Sequence, residues 1–241
     1  MRVELPSGRD TIAGELRLPT RPPAGGVVIL HDVWGLSDVY RGVAQRLADA
    51  GYAALALDLY ARGEKPGSPA DMPAVMRFMN GLPDRRVIAD VQAAIDFLRA
   101  RPELAGRKVG LTGFCMGGKY AFLSACHCRD LAAAVPWYGM LRAQSLDDAN
   151  PEHALDALLL VRCPVLALFG ADDALIPQSD VAELRRRASE RRLPIEAVVY
   201  PGAGHAFANE SRPEVYRPEA AADGWRRALD FFAKQLGGGE A

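Results

Sequence analysis

Val109-Gly-Leu-Thr-Gly-Phe-Cys-Met-Gly-Gly118 runs directly into Lys119-Tyr-Ala-Phe-Leu-Ser-Ala125. The first half is an apolar run of β type and the second reads as a buried helix. Between them stands Gly113-Phe114-Cys115-Met116-Gly117, the G-x-S-x-G strand–turn–helix pattern with cysteine in the serine position. A strand turning that sharply into a helix forces its central residue into strained backbone. It also leaves no room for a Cβ two residues before or after. Cys115 then stands at the carboxyl end of a sheet, over a helix N-terminus whose dipole and free N–H groups favour a thiolate. The pentapeptide alone also fits a buried structural cysteine, in a chain with 23 glycines. The residues downstream decide between the two.

Outward from this stretch, short apolar runs alternate with helical patterns. Val27–Leu30, Ala53–Leu57, Leu131–Tyr138, Val165–Phe169 and Ile195–Tyr200 read as strands. Helices are expected over about 38–50, 84–99, 179–192 and 223–236, with shorter ones at 73–79 and 154–160. Residues 2–5 and 12–18 alternate apolar and polar around Pro6-Ser-Gly-Arg-Asp10, an antiparallel hairpin at a sheet edge. This pattern predicts an α/β fold, a mostly parallel central sheet with helices on both faces. One domain over 1–241 is expected, with 61–83 as a loop and short helix over the strand ends, and with 237–241 frayed.

Lys plus Arg is 29 against 30 for Asp plus Glu, a net charge of −1, which gives no footing for nucleic acid or an anionic membrane. The start Met-Arg-Val-Glu-Leu-Pro lacks a signal peptide's apolar stretch and no apolar run reaches membrane-spanning length, so a cytoplasmic location is expected. Cys115, Cys126, Cys128 and Cys163 are then free thiols. Cys126-His127-Cys128 lacks a second ligand pair, so neither a metal nor a cofactor is expected. A monomer or weak homodimer is the expected state.

The acid and the base appear after later strands. Gly170-Ala-Asp-Asp173 comes after the strand ending at Phe169, and Gly202-Ala-Gly-His205-Ala-Phe207 after the last strand. Nucleophile, acid and histidine thus come in the chain order of the α/β-hydrolases, on loops that gather at one rim of a parallel sheet. A carboxylate fixes the imidazole tautomer, and the other ring nitrogen exchanges protons with the nucleophile and the leaving group. In the G-x-x-D pattern the acid is Asp173, with Asp172 left to solvent or a turn. The oxyanion hole falls to the backbone N–H groups of Met116, after the nucleophile, and Val33, after the Val27–Leu30 strand. Met72, Met76 and Met79 fall on one side of the short helix, either as packing or as an adaptable substrate wall.

Leu30-His-Asp-Val-Trp-Gly35, Leu57-Asp-Leu-Tyr-Ala-Arg62, Gly113-Phe-Cys-Met-Gly-Gly118, Pro136-Trp-Tyr-Gly139, Gly170-Ala-Asp-Asp173 and Gly204-His-Ala-Phe207 stand in register. Together they make the chain resemble the dienelactone hydrolase family from about residue 10 to 236. The resemblance implies an α/β-hydrolase fold and a triad matching Cys115, Asp173 and His205. It also implies hydrolysis of a lactone or activated ester through an acyl-enzyme. It places at Asp32 an acidic residue that engages the cysteine before substrate arrives. Trp34, Tyr138, Met76, Met79, Arg77 and Phe207 are expected around the substrate.

Where family members hold a substrate carboxylate with arginine, Asn209 stands here, and Ala206 replaces a frequent serine; Arg77 or Arg62 are the candidates to substitute. Thioesters, small peptides or xenobiotic esters are alternative substrates. A non-catalytic scaffold of the same fold is the alternative from another class.

Overall fold

The computed structural model describes residues 1–237; of the expected frayed tail, residues 238–241 lie outside the described residues. The apolar runs become β3 (Gly26–Leu30), β4 (Ala53–Asp58), β5 (Val109–Phe114), β6 (Leu131–Trp137), β7 (Val165–Gly170) and β8 (Ile195–Tyr200), all mutually parallel. β3, β5 and β7 are buried along their whole length, which is why they read as unbroken apolar runs. The hairpin forms from β1 (Arg2–Ser7) and β2 (Asp10–Arg17). β2 also pairs antiparallel with β4, so β1 and not β2 is the edge on that side.

The sheet order is β1-β2-β4-β3-β5-β6-β7-β8. The chain builds one way from β3 to β4 and the other way from β5 onward. The carboxyl ends of β3 and β5 therefore flank a switch point, where a crevice opens in a sheet of this kind. The loop holding Val33 comes after β3 and Cys115 after β5, so both reach that crevice.

α3 (Asp84–Arg99) and α4 (Met116–His127) pack together on the sheet. α1 (Asp38–Asp49) and α7 (Pro218–Leu236) cover the other face, joined by Arg46 lying 4.9 Å over the Trp225 ring. α7 begins at Pro218, ahead of the expected Asp223. Pro218 fits its first turn, while the small Ala220–Ala222 run gave no apolar period to read. α2 (Met72–Asn80) is capped by Asp71, whose carboxylate accepts from the Ala74 N–H at 3.0 Å. The 154–160 segment is a single turn, α5 (Ala154–Ala157), continued by a 3-10 turn. α6 (Gln178–Arg191) packs on β8. Among the described residues no helix is long and apolar enough to cross a membrane, and no cluster of potential metal ligands occurs.

Candidate active site

Cys115 sits between β5 and α4 with φ 56° and ψ −114°, a conformation that costs ~1–3 kcal/mol and that the packing around it holds in place. Its N–H donates to the Trp137 carbonyl at 3.0 Å, and its carbonyl accepts from the Lys119 N–H at 3.1 Å. The flanking glycines are there for space. A Cβ on Gly113 would lie 2.1 Å from the Gly117 oxygen, and one on Gly117 would lie 2.4 Å from the Leu30 oxygen. Any side chain at either place would push the turn apart.

The acid and the histidine meet because the loops after β7 and β8 touch. A Cβ on Gly170 would stand 2.3 Å from the Ala203 carbonyl, so glycine permits the approach. Asp173 is buried; its Oδ1 accepts from the Leu175 N–H at 2.9 Å and its Oδ2 lies 2.8 Å from His205 Nδ1. Asp172 is exposed, as the spacing argument requires. The edge of Tyr138 packs against the His205 ring, centroids 5.3 Å apart. His205 Nε2 is buried and finds no hydrogen-bond partner among the described residues. Burial opposes the charging of His205, yet the hydrogen bond to Asp173 and the adjoining Cys115 sulfur outweigh it and push it up to about 10.

Val33 and Met116 both line the cavity beside Cys115. Neither of their N–H groups finds an acceptor among the described residues. Two side chains that the sequence does not single out hold this corner. His31 is fully buried; its Nδ1 donates to the Asp32 carbonyl at 2.6 Å and its Nε2 accepts from the Leu59 N–H at 3.1 Å. Burial lowers its pKa, in keeping with a neutral ring that donates on one side and accepts on the other. Tyr60 donates through its hydroxyl to the Val33 carbonyl at 2.9 Å and lies 3.4 Å from the Met116 sulfur. Both residues close the ends of neighbouring strands, the one positional signal the sequence carries for them.

Asp32, expected against the thiol, turns its Oδ1 to the Trp34 N–H at 2.9 Å. Burial raises its pKa, with that hydrogen bond opposing. No hydrogen bond joins it to Cys115 among the described residues.

A cavity of about 710 Å³ opens over Cys115 and His205. Trp34, Met76 and Met79 line it. Three other expected neighbours do not. Arg77 is exposed, on the side of α2 away from the cavity, because one residue past Met76 is a turn of about 100° round the helix, away from Met72 and Met79. Phe207 is fully buried among Trp137, Tyr138 and Tyr200. Tyr138 is buried too, and supports His205 from behind.

Arg62 is likewise away from the cavity, ion-paired to Asp90 and Asp10 at 2.7 Å each. Asn209 turns into its own loop, where its side chain accepts from Ser211. Arg212, three residues later, reaches the cavity instead, as do Arg142, Gln144 and Met140 from the segment after β6 and Lys119 from α4. Lys119 lies one helical turn beyond Cys115, a spacing that puts both on one face and is legible in the sequence. The segment after β6 carries no period from which its side-chain directions could be read.

The family model described as "Dienelactone hydrolase family" matches residues 12–236. A Salmonella typhimurium protein named "Putative carboxymethylenebutenolidase" is 37% identical over 213 residues, 88% of this chain and 77% of its own length. An Escherichia coli strain K12 protein of the same name is 36% identical over 240 residues, 98% of this chain and 87% of its own. A solved structure described as a "Putative Dienelactone Hydrolase" from Klebsiella pneumoniae superposes with a TM-score of 0.89 at 34% identity, covering 97% of this chain and 98% of that one. With a family model spanning nearly the whole chain and relatives this similar over most of their own lengths, the chain is an α/β-fold enzyme that belongs to the dienelactone hydrolase family.

Proposed function

We propose that the protein hydrolyses a lactone or activated carboxylic ester through a cysteinyl acyl-enzyme, with Cys115 as nucleophile, His205 as proton carrier and Asp173 as its orienting acid. The observation that carries this reading is the His205 ring. Asp173 fixes Nδ1 at 2.8 Å, while Nε2, buried on the Cys115 side, has no hydrogen-bond partner among the described residues and is left free for the thiol.

In this mechanism the Cys115 sulfur, its proton held by His205, attacks the substrate carbonyl carbon. The carbonyl oxygen takes up negative charge in front of the Val33 and Met116 N–H groups. The bond from carbon to the ester oxygen then breaks, and the imidazolium hands its proton to that oxygen as it leaves. A water molecule gives its proton to the neutral ring and adds to the thioester; the carbon–sulfur bond breaks, and the free acid departs. The neutral His31 and the Tyr60 hydroxyl keep the Val33 turn in place for the developing charge. α2, within the 61–83 segment, roofs the cavity and would shield the acyl-enzyme from bulk water.

Hydrolysis of para-nitrophenyl acetate tests the reading. Activity should vanish on treatment with iodoacetamide and in Cys115→Ala, a loss on the order of 10⁴-fold or more, with the fold retained by circular dichroism. A Cys115→Ala enzyme that keeps its rate would overturn it.

A further inference from the structure

We infer that the substrate is an uncharged ester or lactone whose bulky apolar group lies on a methionine wall, not one anchored through a carboxylate; this rests on the hydrolytic reading above. The chain has six methionines, and five of them, Met72, Met76, Met79, Met116 and Met140, line the one cavity over Cys115. They arrive from α2, from the elbow and from the segment after β6, so no single helix period explains the gathering. Methionine is flexible and polarizable, and a wall of it adapts to apolar groups of differing shape. The cavity volume, about 710 Å³, falls within the ~300–1,000 Å³ that holds drug-sized ligands. Its apolar surface runs out to the mouth, where Met72 is 46% and Leu175 is 52% exposed.

The charged and amide side chains that line this cavity outside the catalytic groups are engaged with one another or with the protein. Lys119 Nζ donates to Asp84 at 2.7 Å and to Asn150 at 2.5 Å. Asn80 donates to Gln144 at 2.5 Å. Arg142 pairs with Asp180 at 3.0 Å and Arg212 with Glu214 at 2.9 Å. Those two arginine side chains are 40% and 45% exposed and already paired, so a further pair with a substrate carboxylate is screened by solvent and weak. A substrate carboxylate placed deeper would meet thioether sulfurs and lose its water without a replacement.

Three esters sharing one leaving group test this: para-nitrophenyl acetate, para-nitrophenyl phenylbutyrate, and the phenylbutyrate carrying a ring carboxylate. kcat/KM should rise about tenfold or more from the first to the second and fall by about as much from the second to the third. Met76→Gln should narrow the preference for phenylbutyrate over acetate several-fold, and Met76→Leu should keep it. The proposal is overturned if the carboxylated ester is turned over as well as its neutral twin, or if phenylbutyrate gains nothing over acetate. If the acetate itself is not hydrolysed, the hydrolytic reading fails first and takes the proposal with it.

Discussion

The two walls of the cavity are built on different physics. One wall is strand ends: the turn after β3, the elbow after β5 and the loops after β7 and β8. There backbone meets backbone at distances that only glycine allows, and Asp173 fixes the His205 ring at 2.8 Å. The other wall is α2 with the segment after β6. It is made of flexible thioethers braced by side-chain pairs, Asn80 with Gln144 and Lys119 with Asp84 and Asn150. In the proposed function the rigid wall carries the chemistry and the adaptable one the recognition.

The hardest test of this division strikes the rigid wall. Asp173→Asn keeps the shape but frees the ring to take the wrong tautomer, and kcat should fall on the order of 10³–10⁴-fold while KM stays within a few-fold. Equal changes in kcat and KM would mean that Asp173 shapes the pocket and does not orient the base. A strike at the brace of the other wall should register in stability. Asp84→Ala leaves the buried Lys119 ammonium without its carboxylate, hydrogen-bonded to Asn150 and resting 5.0 Å over the Tyr120 ring, the Lys119 and Asp84 side chains being 8% and 2% exposed. It should cost ~3–5 kcal/mol in urea unfolding, and replacing both partners by apolar residues of similar size should recover most of it. An Asp84→Ala enzyme as stable as the parent would show that the second wall needs no brace.

A third effect is a pH dependence. His205 binds its proton more tightly in the folded protein, up to about 10, than its ordinary value of 6.5. Its contribution is therefore fully present below about pH 6.5 and is lost as pH rises towards 10. The difference in Tm between the parent and His205→Gln should shrink over that interval. A difference that stays constant would detach the ring from both Asp173 and the sulfur.

The same division governs what could be read from the sequence. Val109–Gly118 announced its strand, turn and helix because the turn's geometry demands glycine at fixed places, and Asp173 and His205 come after their strands at short, defined offsets. The recognition wall depends on where side chains from 72–80 and 140–150 converge, which no local period encodes. Arg77 was expected at the pocket and is exposed; Arg212, which no motif marks, reaches the cavity. Lys119 reads as an odd cation in an apolar helix until Asp84 and Asn150 are brought to it from distant positions. Asp32 was legible as a loop carboxylate, but its turn towards the Trp34 N–H is a matter of three-dimensional packing.

In the proposed mechanism, chemistry on the rigid wall comes down to one covalent bond, from substrate carbon to the Cys115 sulfur. Rapid acid quench during turnover of para-nitrophenyl phenylbutyrate, followed by intact-mass and peptide mass spectrometry, reads that bond itself. A single added phenylbutyryl group should appear, carried by the peptide containing Cys115 and absent in Cys115→Ala. An acyl group on another residue, or full turnover by Cys115→Ala, would refute the cysteinyl intermediate.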